Sequence, residues 1–264
     1  MTSDQTEESS FESEDDAPGE PPRRWGPVAT VVIALSATFV PGVLVGLATA
    51  LVIGARSPDA GPERLAAKME ETLTDGDFLG LAIWAGAILG IPLVLLALRL
   101  RGWPSRSAYL PFRSVTPRAL AVWIGWGALA LAASDLLLRA LGRTTTPEVW
   151  LSAFATADYE IVLWSAAIVA APLFEELVYR GFVIEGLSGT MIGSGGAAVV
   201  ASFIWALGHY DYGVDHLFVV FALGLILGWA RLRTGSLWTP IVVHALWNLG
   251  AVVSAELTVS SLLQ

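Results

Sequence analysis

Long apolar stretches separated by short polar segments recur along the chain after residue 24. Four of these stretches contain no Asp, Glu, Lys or Arg: 25–55, 78–98, 186–208 and 234–255. Each is long enough to supply the roughly 20 helical residues that cross a hydrocarbon core. Three weaker stretches complete the set: 119–138, 161–182 and 217–230. The pattern therefore predicts an all-α fold, a multi-pass transmembrane bundle of about seven helices.

Two segments differ from this apolar pattern. Residues 1–22 hold eight acidic and no basic residues, and such a composition buries too little apolar surface to fold. We therefore expect a disordered acidic tail over 1–24. The segment 57–77 has apolar residues at four-residue spacing among charges: Leu65, Met69 and Leu73. This spacing is typical of an amphipathic helix at the membrane interface, and it fits an ordinary solvated helix equally well.

Composition supports a membrane protein. Hydrophobic residues make up 55% of the chain and charged residues only 15%, and the mean hydropathy is +0.63. A soluble domain carries about 25% charged residues. The chain has no Cys, which excludes disulfides, thiol catalysis and Cys-ligated zinc. It also has no basic patch with interleaved aromatic residues, so we expect no nucleic-acid partner.

The distribution of Lys and Arg predicts the orientation in the membrane. With the N-terminus inside, nine of these residues fall in cytoplasmic segments and five fall outside. Because basic loops stay cytoplasmic, we expect a multi-pass protein of the plasma membrane with a cytoplasmic N-terminus. Residues 25–150 then form N-terminal transmembrane helices with the interfacial segment, and 151–264 form the part that carries the candidate chemistry.

Apart from Asp135 in 119–138, ionisable side chains interrupt the apolar stretches only from Glu175 onward. The polar residues of interest are Glu175, Glu176 and Arg180 in APLFEELVYRG, His209 in FIWALGHY, and His244 with Asn248 in PIVVHALWNLG. Ionisable groups at bilayer depth are costly and normally face a protein-lined cavity, where they take part in chemistry or transport. Their positions therefore predict a membrane-embedded functional site.

Helical geometry indicates which of these residues meet. The sequence GSGG at 193–196 predicts a turn, which leaves Glu175 and His209 each roughly 25 Å from it and at one level. Glu176 and Arg180 are four residues apart with the acid first, the favourable order for a helical ion pair. Glu175 and Glu176 point about 100° apart on a helix, so Glu175 remains free to face His209.

Two His, one Glu and one Asn suit peptide hydrolysis. A carboxylate and an imidazole can deprotonate a water, while a second imidazole and an amide can donate to the oxyanion of a tetrahedral intermediate. The same side chains offer an alternative, a zinc site formed by Glu175, His209 and His244. A second alternative is a non-catalytic membrane protein, either a binding or immunity protein or a small transporter. A transporter would be expected to show an internal repeat, and none is evident.

The motif order resembles one family. E-E-x-x-x-R at 175–180, a helix ending in His209, and H-x-x-x-N at 244–248 are similar to the CPBP family, the CAAX-protease and bacteriocin-processing (abortive-infection type) intramembrane endopeptidases. The resemblance covers about 155–255. The family's second motif is usually F-x-x-x-H, whereas this chain has Trp205 in place of the Phe.

The resemblance implies a function and a set of residue roles. It implies a glutamate-dependent intramembrane protease, metal-independent and without a cofactor, acting on a peptide or lipidated protein substrate that can be prenylated. The implied roles are Glu175 and His209 as the water-activating pair, His244 and Asn248 as the oxyanion-stabilising pair, and Glu176 with Arg180 as support. Zinc remains the alternative to the metal-independent mechanism.

Overall fold

The computed structural model describes residues 24–101 and 106–262, and every regular element in these ranges is helical. The nine helices are α1 (Pro27–Arg56), α2 (Pro62–Thr74), α3 (Gly76–Arg101), α4 (Pro117–Ala140), α5 (Glu148–Thr156), α6 (Glu160–Ser188), α7 (Gly193–Leu207), α8 (Val214–Thr234) and α9 (Trp238–Leu262). Single helical turns lie at Arg106–Tyr109 and Tyr210–Tyr212. The all-α prediction is confirmed. The predicted disordered tail lies outside the described residues, apart from Arg24.

Six of the helices are long and apolar enough to cross a membrane: α1, α3, α4, α6, α8 and α9. The seventh apolar helix, α7, is shorter at 15 residues. These seven helices coincide with the seven stretches predicted from hydropathy, each differing by a few residues at its ends. The protein is therefore a multi-pass membrane protein.

Local sequence signals set several helix ends. Proline stands at the start of α1, α2 and α4, where its missing N–H costs nothing because the first turn has no intrahelical acceptor. The Thr116 side chain accepts a hydrogen bond from the backbone of the first turn of α4. Gly235 ends α8 with a φ of +64°, in the left-handed region that favours glycine.

The helix α2 forms within the segment predicted to be amphipathic. Its 13 residues contain no fully buried side chain, in contrast to the apolar helices on either side of it. Leu65 and Met69 are partly exposed, and Leu73 is 46% exposed. Leu65 and Met69 therefore lie on the less exposed side of the helix, and its placement on the membrane surface stays a prediction.

Two apolar clusters hold the bundle together. The larger draws residues from α1, α3 and α6 to α9, including Ala34, Val94, Phe182, Ala198, Leu227 and Val243. The smaller joins α5, the first part of α6 and the last part of α9 around Phe154, Leu163 and Val252. Helices α6 and α9 both contribute buried residues to the two clusters, and the apolar window of α6 is the most buried of the six candidate spans, at 50%. The helix α6 therefore lies at the centre of the bundle, and the division of the chain at residue 150 stays a prediction.

The turn between α6 and α7 lies earlier than predicted. It comprises 189–192, so the expectation of a turn at 193–196 was wrong and GSGG forms the first turn of α7. Gly193 has a φ of +62°, a conformation that other residues rarely adopt, so one glycine provides the change of direction. The small residues that follow lie inside the helix.

Close contact between α7 and α8 depends on small side chains. A Cβ atom at Gly224 would lie 2.8 Å from the Ser202 Cβ, and one at Gly228 would lie 3.1 Å from the Ala198 Cβ. Small residues at matched positions allow membrane helices to approach closely. This approach brings the backbone of α8 against the polar residues of α6.

Candidate active site

The backbone of α6 departs from regular α-helical geometry around the acidic motif. Segments with wider, π-helical turns span Ala166–Ala170 and Glu176–Val183, and a short α-helical stretch, Ala171–Glu175, separates them. Such π-helical segments occur frequently at functional sites. Glu175 and Glu176 lie at the junction where the geometry changes.

Glu176 and Arg180 form a fully buried ion pair. Arg180 Nη1 lies 2.9 Å from Glu176 Oε1, and both side chains have 0% exposure. Arg180 Nη2 also donates to the Gly224 carbonyl at 3.4 Å. Among the described residues, Glu176 Oε2 and Arg180 Nε have no hydrogen-bond partner. The pair is therefore buried with part of its hydrogen-bonding capacity unused, which is costly for stability.

His244 joins this ion pair from α9. Its Nδ1 lies 2.8 Å from Glu176 Oε1, and its side chain is almost completely buried. Because an ionised carboxylate only accepts hydrogen bonds, Nδ1 carries the proton in this contact. The other ring nitrogen, Nε2, points toward Glu175, at 3.9 Å from its Oε2. His244 therefore lies between the two carboxylates of the motif.

Glu175 is the accessible carboxylate of the pair. Its side chain is 19% exposed, compared with 0% for that of Glu176. Its Oε2 accepts a hydrogen bond of 2.6 Å from the indole Nε1 of Trp205 on α7. Glu175 is therefore held on one oxygen and open on one side, an arrangement in which it can accept a proton from a bound molecule.

His209 lies directly after α7, between two aromatic rings. Its Nδ1 is 2.9 Å from the Trp205 carbonyl oxygen, so Nδ1 donates, which in the neutral ring leaves the lone pair on Nε2. The ring makes edge contacts with Trp205 at 5.2 Å and with Tyr212 at 4.9 Å between centroids. Among the described residues, no hydrogen bond or ion pair joins His209 to Glu175. Trp205 connects the two.

Tyr212 packs against His209 and is itself held by Trp150. The Tyr212 hydroxyl accepts a hydrogen bond of 2.6 Å from Trp150 Nε1 on α5. Burial raises the pKa of the Tyr212 hydroxyl above its ordinary value, so this group stays neutral. A neutral, hydrogen-bonded phenol holds its ring in one orientation, and it limits the movement of His209.

Asn248 lies one turn after His244 on α9 but contacts a different part of α6. Its Nδ2 donates to the Ala167 carbonyl at 2.8 Å, within the first π-helical segment. One amide hydrogen remains for another acceptor. The structure thus brings Glu175, Glu176, Arg180 and His244 into one cluster with Trp205, and it places His209 and Asn248 at the edges of that cluster.

The central position of Trp205 was not predicted from the sequence. The motif identified it only as the aromatic in place of Phe four positions before His209, but its indole N–H binds Glu175 and its backbone carbonyl binds His209. Tyr212, which follows His209 by one helical turn, was not predicted either. In both cases the available signal was an aromatic with a polar atom beside an intramembrane histidine.

The three residues considered as zinc ligands do not converge on one point. Within 24–101 and 106–262, no three His, Cys, Asp or Glu side chains lie close enough together to hold a metal ion. The Nδ1 contacts of His244 and His209 leave Nε2 of each ring available, so these hydrogen bonds do not themselves prevent metal binding. It is the spacing of Glu175, His209 and His244 that does not match a shared zinc site.

Comparison with known proteins agrees with the motif order. Residues 156–250, from the end of α5 to the middle of α9, match the family model described as "Type II CAAX prenyl endopeptidase Rce1-like". No curated protein and no solved structure matches the chain. The matched region contains every residue of the cluster described above. Through this region the chain is similar to the Rce1-like type II CAAX prenyl endopeptidases, a family of intramembrane proteases.

Proposed function

We propose that this protein hydrolyses a peptide bond of a membrane-associated, lipidated substrate, with Glu175 as the general base. The observation that carries the proposal is the contrast within the motif. Glu176 is sealed in an ion pair with Arg180, whereas the adjacent Glu175 is partly exposed and faces His244. A free carboxylate beside a neutralised one suits proton transfer.

In the proposed mechanism, Glu175 and His209 activate the attacking water. Glu175 Oε1 accepts a water proton, because Oε2 already accepts the Trp205 N–H. His209 orients the same water through Nε2, whose lone pair is left free by the contact of Nδ1 with the Trp205 carbonyl. Trp205 supports the pairing of Glu175 with His209, because its indole N–H binds Glu175 and its carbonyl oxygen binds His209.

His244 and Asn248 stabilise the oxyanion in this proposal. With Nδ1 donating to Glu176, Nε2 of His244 can donate only when the ring is protonated. The free amide hydrogen of Asn248 supplies a second donor. Removing one oxyanion donor typically slows turnover about 10²–10³-fold.

The proposed reaction balances without an outside reagent. The water oxygen bonds to the scissile carbonyl carbon while one water proton passes to Glu175. The tetrahedral intermediate then collapses, the C–N bond breaks, and Glu175 returns the proton to the leaving nitrogen. The products are a new carboxyl terminus and a new amine, and Glu175 is again ionised.

We propose that hydrolysis is metal-independent, with zinc as the alternative to be tested. The dispersal of the potential zinc ligands among the described residues supports this choice. The buried Arg180 supports it further, since a guanidinium next to the motif already supplies the positive charge that a metal would bring. The proposal also keeps the protein in the plasma membrane with its N-terminus in the cytoplasm, as the distribution of Lys and Arg favours.

Cleavage of quenched fluorescent peptides by the purified protein in proteoliposomes tests the proposal. Matched prenylated and unmodified peptides are compared, with Glu175→Gln as the inactive variant and with and without a strong chelator. We expect preferential cleavage of prenylated peptides, a loss of about 10²–10⁴-fold in Glu175→Gln, and no effect of chelator. Activity that survives in Glu175→Gln would overturn the assignment of the base. Activity lost on chelation and restored by zinc would establish the metal alternative.

A further inference from the structure

One residue contacts four of the five charged or imidazole groups of the site. The Trp205 indole Nε1 donates to Glu175 Oε2 at 2.6 Å, and the Trp205 carbonyl oxygen lies 2.9 Å from His209 Nδ1. The Arg180 guanidinium lies over the indole ring at 4.3 Å. The same ring makes an edge contact with His244 at 5.2 Å between centroids. Trp205 is therefore the common neighbour of residues from α6, from α9 and from the turn after its own helix.

We propose that Trp205 is a positioning residue that holds the Glu175 carboxylate ionised and oriented for the deprotonation of water. This inference rests on the proposed function of Glu175. The indole N–H is a donor only, so it favours the ionised form of the carboxylate over the protonated form. A hydrogen bond to an ionised group is roughly twice as strong as a neutral one. By occupying Oε2, Trp205 also determines that Oε1 faces the water.

The surroundings of the indole prevent it from leaving Glu175. Trp205 is only 3% exposed, so its rotation would require neighbouring helices to move. The Arg180 guanidinium over the ring adds a cation–π attraction, which is stronger in a desolvated site. Because the Trp205 carbonyl binds His209, a shift of this residue would displace both water-activating groups together.

The pH dependence of the reaction measures the effect of the Trp205–Glu175 hydrogen bond. The other charged and titratable groups around Glu175 are Glu176, Tyr179 and Arg180 on α6, His209 and Tyr212 after α7, and His244 on α9. All of them remain when the indole N–H alone is removed. A change in the acid limb of the pH–rate profile can therefore be assigned to the lost donor.

The decisive variant is Trp205→Phe, which keeps an aromatic ring and removes the donor. Loss of the hydrogen bond makes Glu175 easier to protonate, so the acid limb of kcat/KM should move by about one unit to higher pH. We expect kcat on the plateau to fall about tenfold, because the carboxylate is less well oriented, while KM stays within about twofold. The measurement is a full pH profile with the peptide that the wild-type protein cleaves.

The chain offers a matched control. Trp164 Nε1 donates to the Glu256 carboxylate at 3.0 Å, an indole–carboxylate contact of the same kind within the smaller apolar cluster. Trp164→Phe should leave the pH profile unchanged. If both variants shift the profile alike, the effect is structural and the proposal fails. A profile of Trp205→Phe that matches the wild type would also overturn it.

Two further variants keep the outcome decisive. If Trp205→Phe does not fold, replacement of Trp205 by benzothienylalanine preserves the bicyclic shape and removes only the N–H, and the same shift is expected. Glu175→Gln separates the two proposals. An inactive Glu175→Gln with an unshifted Trp205→Phe would refute the positioning role alone, whereas an active Glu175→Gln would refute the function on which it rests.

Discussion

The helices α4 and α6 have nearly the same hydropathy and opposite environments. Their most apolar windows have mean hydropathies of 1.7 and 1.8, yet 6% of the first and 50% of the second is buried inside the protein. Each carries an acid–arginine pair four residues apart with a distance of 2.9 Å, Asp135–Arg139 in α4 and Glu176–Arg180 in α6. In the first pair the Asp135 side chain is 40% exposed and that of Arg139 is 63% exposed, whereas both side chains of the second pair are 0% exposed.

The comparison shows that an ion pair gains its importance from its surroundings. An exposed pair is screened and contributes little, whereas breaking a buried pair leaves an uncompensated charge away from water. In α6 the buried pair also binds His244, so the same charges connect the helix to the candidate chemistry. Three variants near α6 can each be paired with a matched control variant elsewhere in the protein.

The largest expected effect comes from Glu176→Ala. This variant leaves Arg180 buried without its partner, and we expect a loss of about 3–5 kcal/mol in the free energy of unfolding. The rate at which the protein cleaves its peptide substrate should fall as well, because His244 Nδ1 loses its hydrogen-bond acceptor. Denaturant titration in mixed micelles measures the first effect. Asp135→Ala is the matched variant in α4, and a comparable loss of stability there would remove the distinction between the two pairs.

A smaller effect is expected from Gly224→Ala, at the contact of α8 with α7. The new Cβ would lie 2.8 Å from the Ser202 Cβ, and the shift needed to relieve this should cost about 1–3 kcal/mol. It would also move the carbonyl that accepts from Arg180. Gly125→Ala in α4 meets nothing within 4 Å, so it should be neutral or slightly stabilising. Equal thermal stability of the two variants would contradict the close packing of α7 and α8.

The smallest effect concerns the contact between α6 and α1. The Tyr179 and Thr38 hydroxyls lie 3.2 Å apart, and Thr38 also donates to the Ala34 carbonyl. Tyr179→Phe removes one neutral hydrogen bond without leaving Thr38 unpaired, so we expect a loss of about 1 kcal/mol in stability. Tyr159→Phe, at a residue 69% exposed before the start of α6, should have no effect. A loss of stability in Tyr179→Phe larger than that in Gly224→Ala would contradict this prediction.

Much of the fold was predictable because a bilayer imposes a simple rule on sequence. A helix that crosses it needs about 20 apolar residues, and the seven apolar stretches match seven helices. The position of the turn before α7 was not predictable in the same way. GSGG contains the residues of a turn, but of its glycines only Gly193 has a positive φ, and the residues after it continue as α7.

The candidate site residues could be predicted from the sequence, whereas several of their contacts could not. Glu175, Glu176 and Arg180 were identified because charges are rare in apolar stretches, and the spacing of Glu176 and Arg180 gave the ion pair. Spacing also suggested that Glu175 meets His209 directly. In the structure the partner of Glu175 is Trp205, which also contacts His209, because an indole fills the space between the helices and has its own donor.

The sequence by itself determined that this protein is an all-helical membrane protein, and it placed the candidate site residues in the second half. Hydropathy and the cost of buried charge act on each helix separately, so they can be read without knowing its neighbours. The tertiary structure decided which helix is central, which carboxylate is sealed and which is open, and where each histidine nitrogen points. These properties depend on the distances between side chains of different helices, and only the packing of the bundle sets those distances.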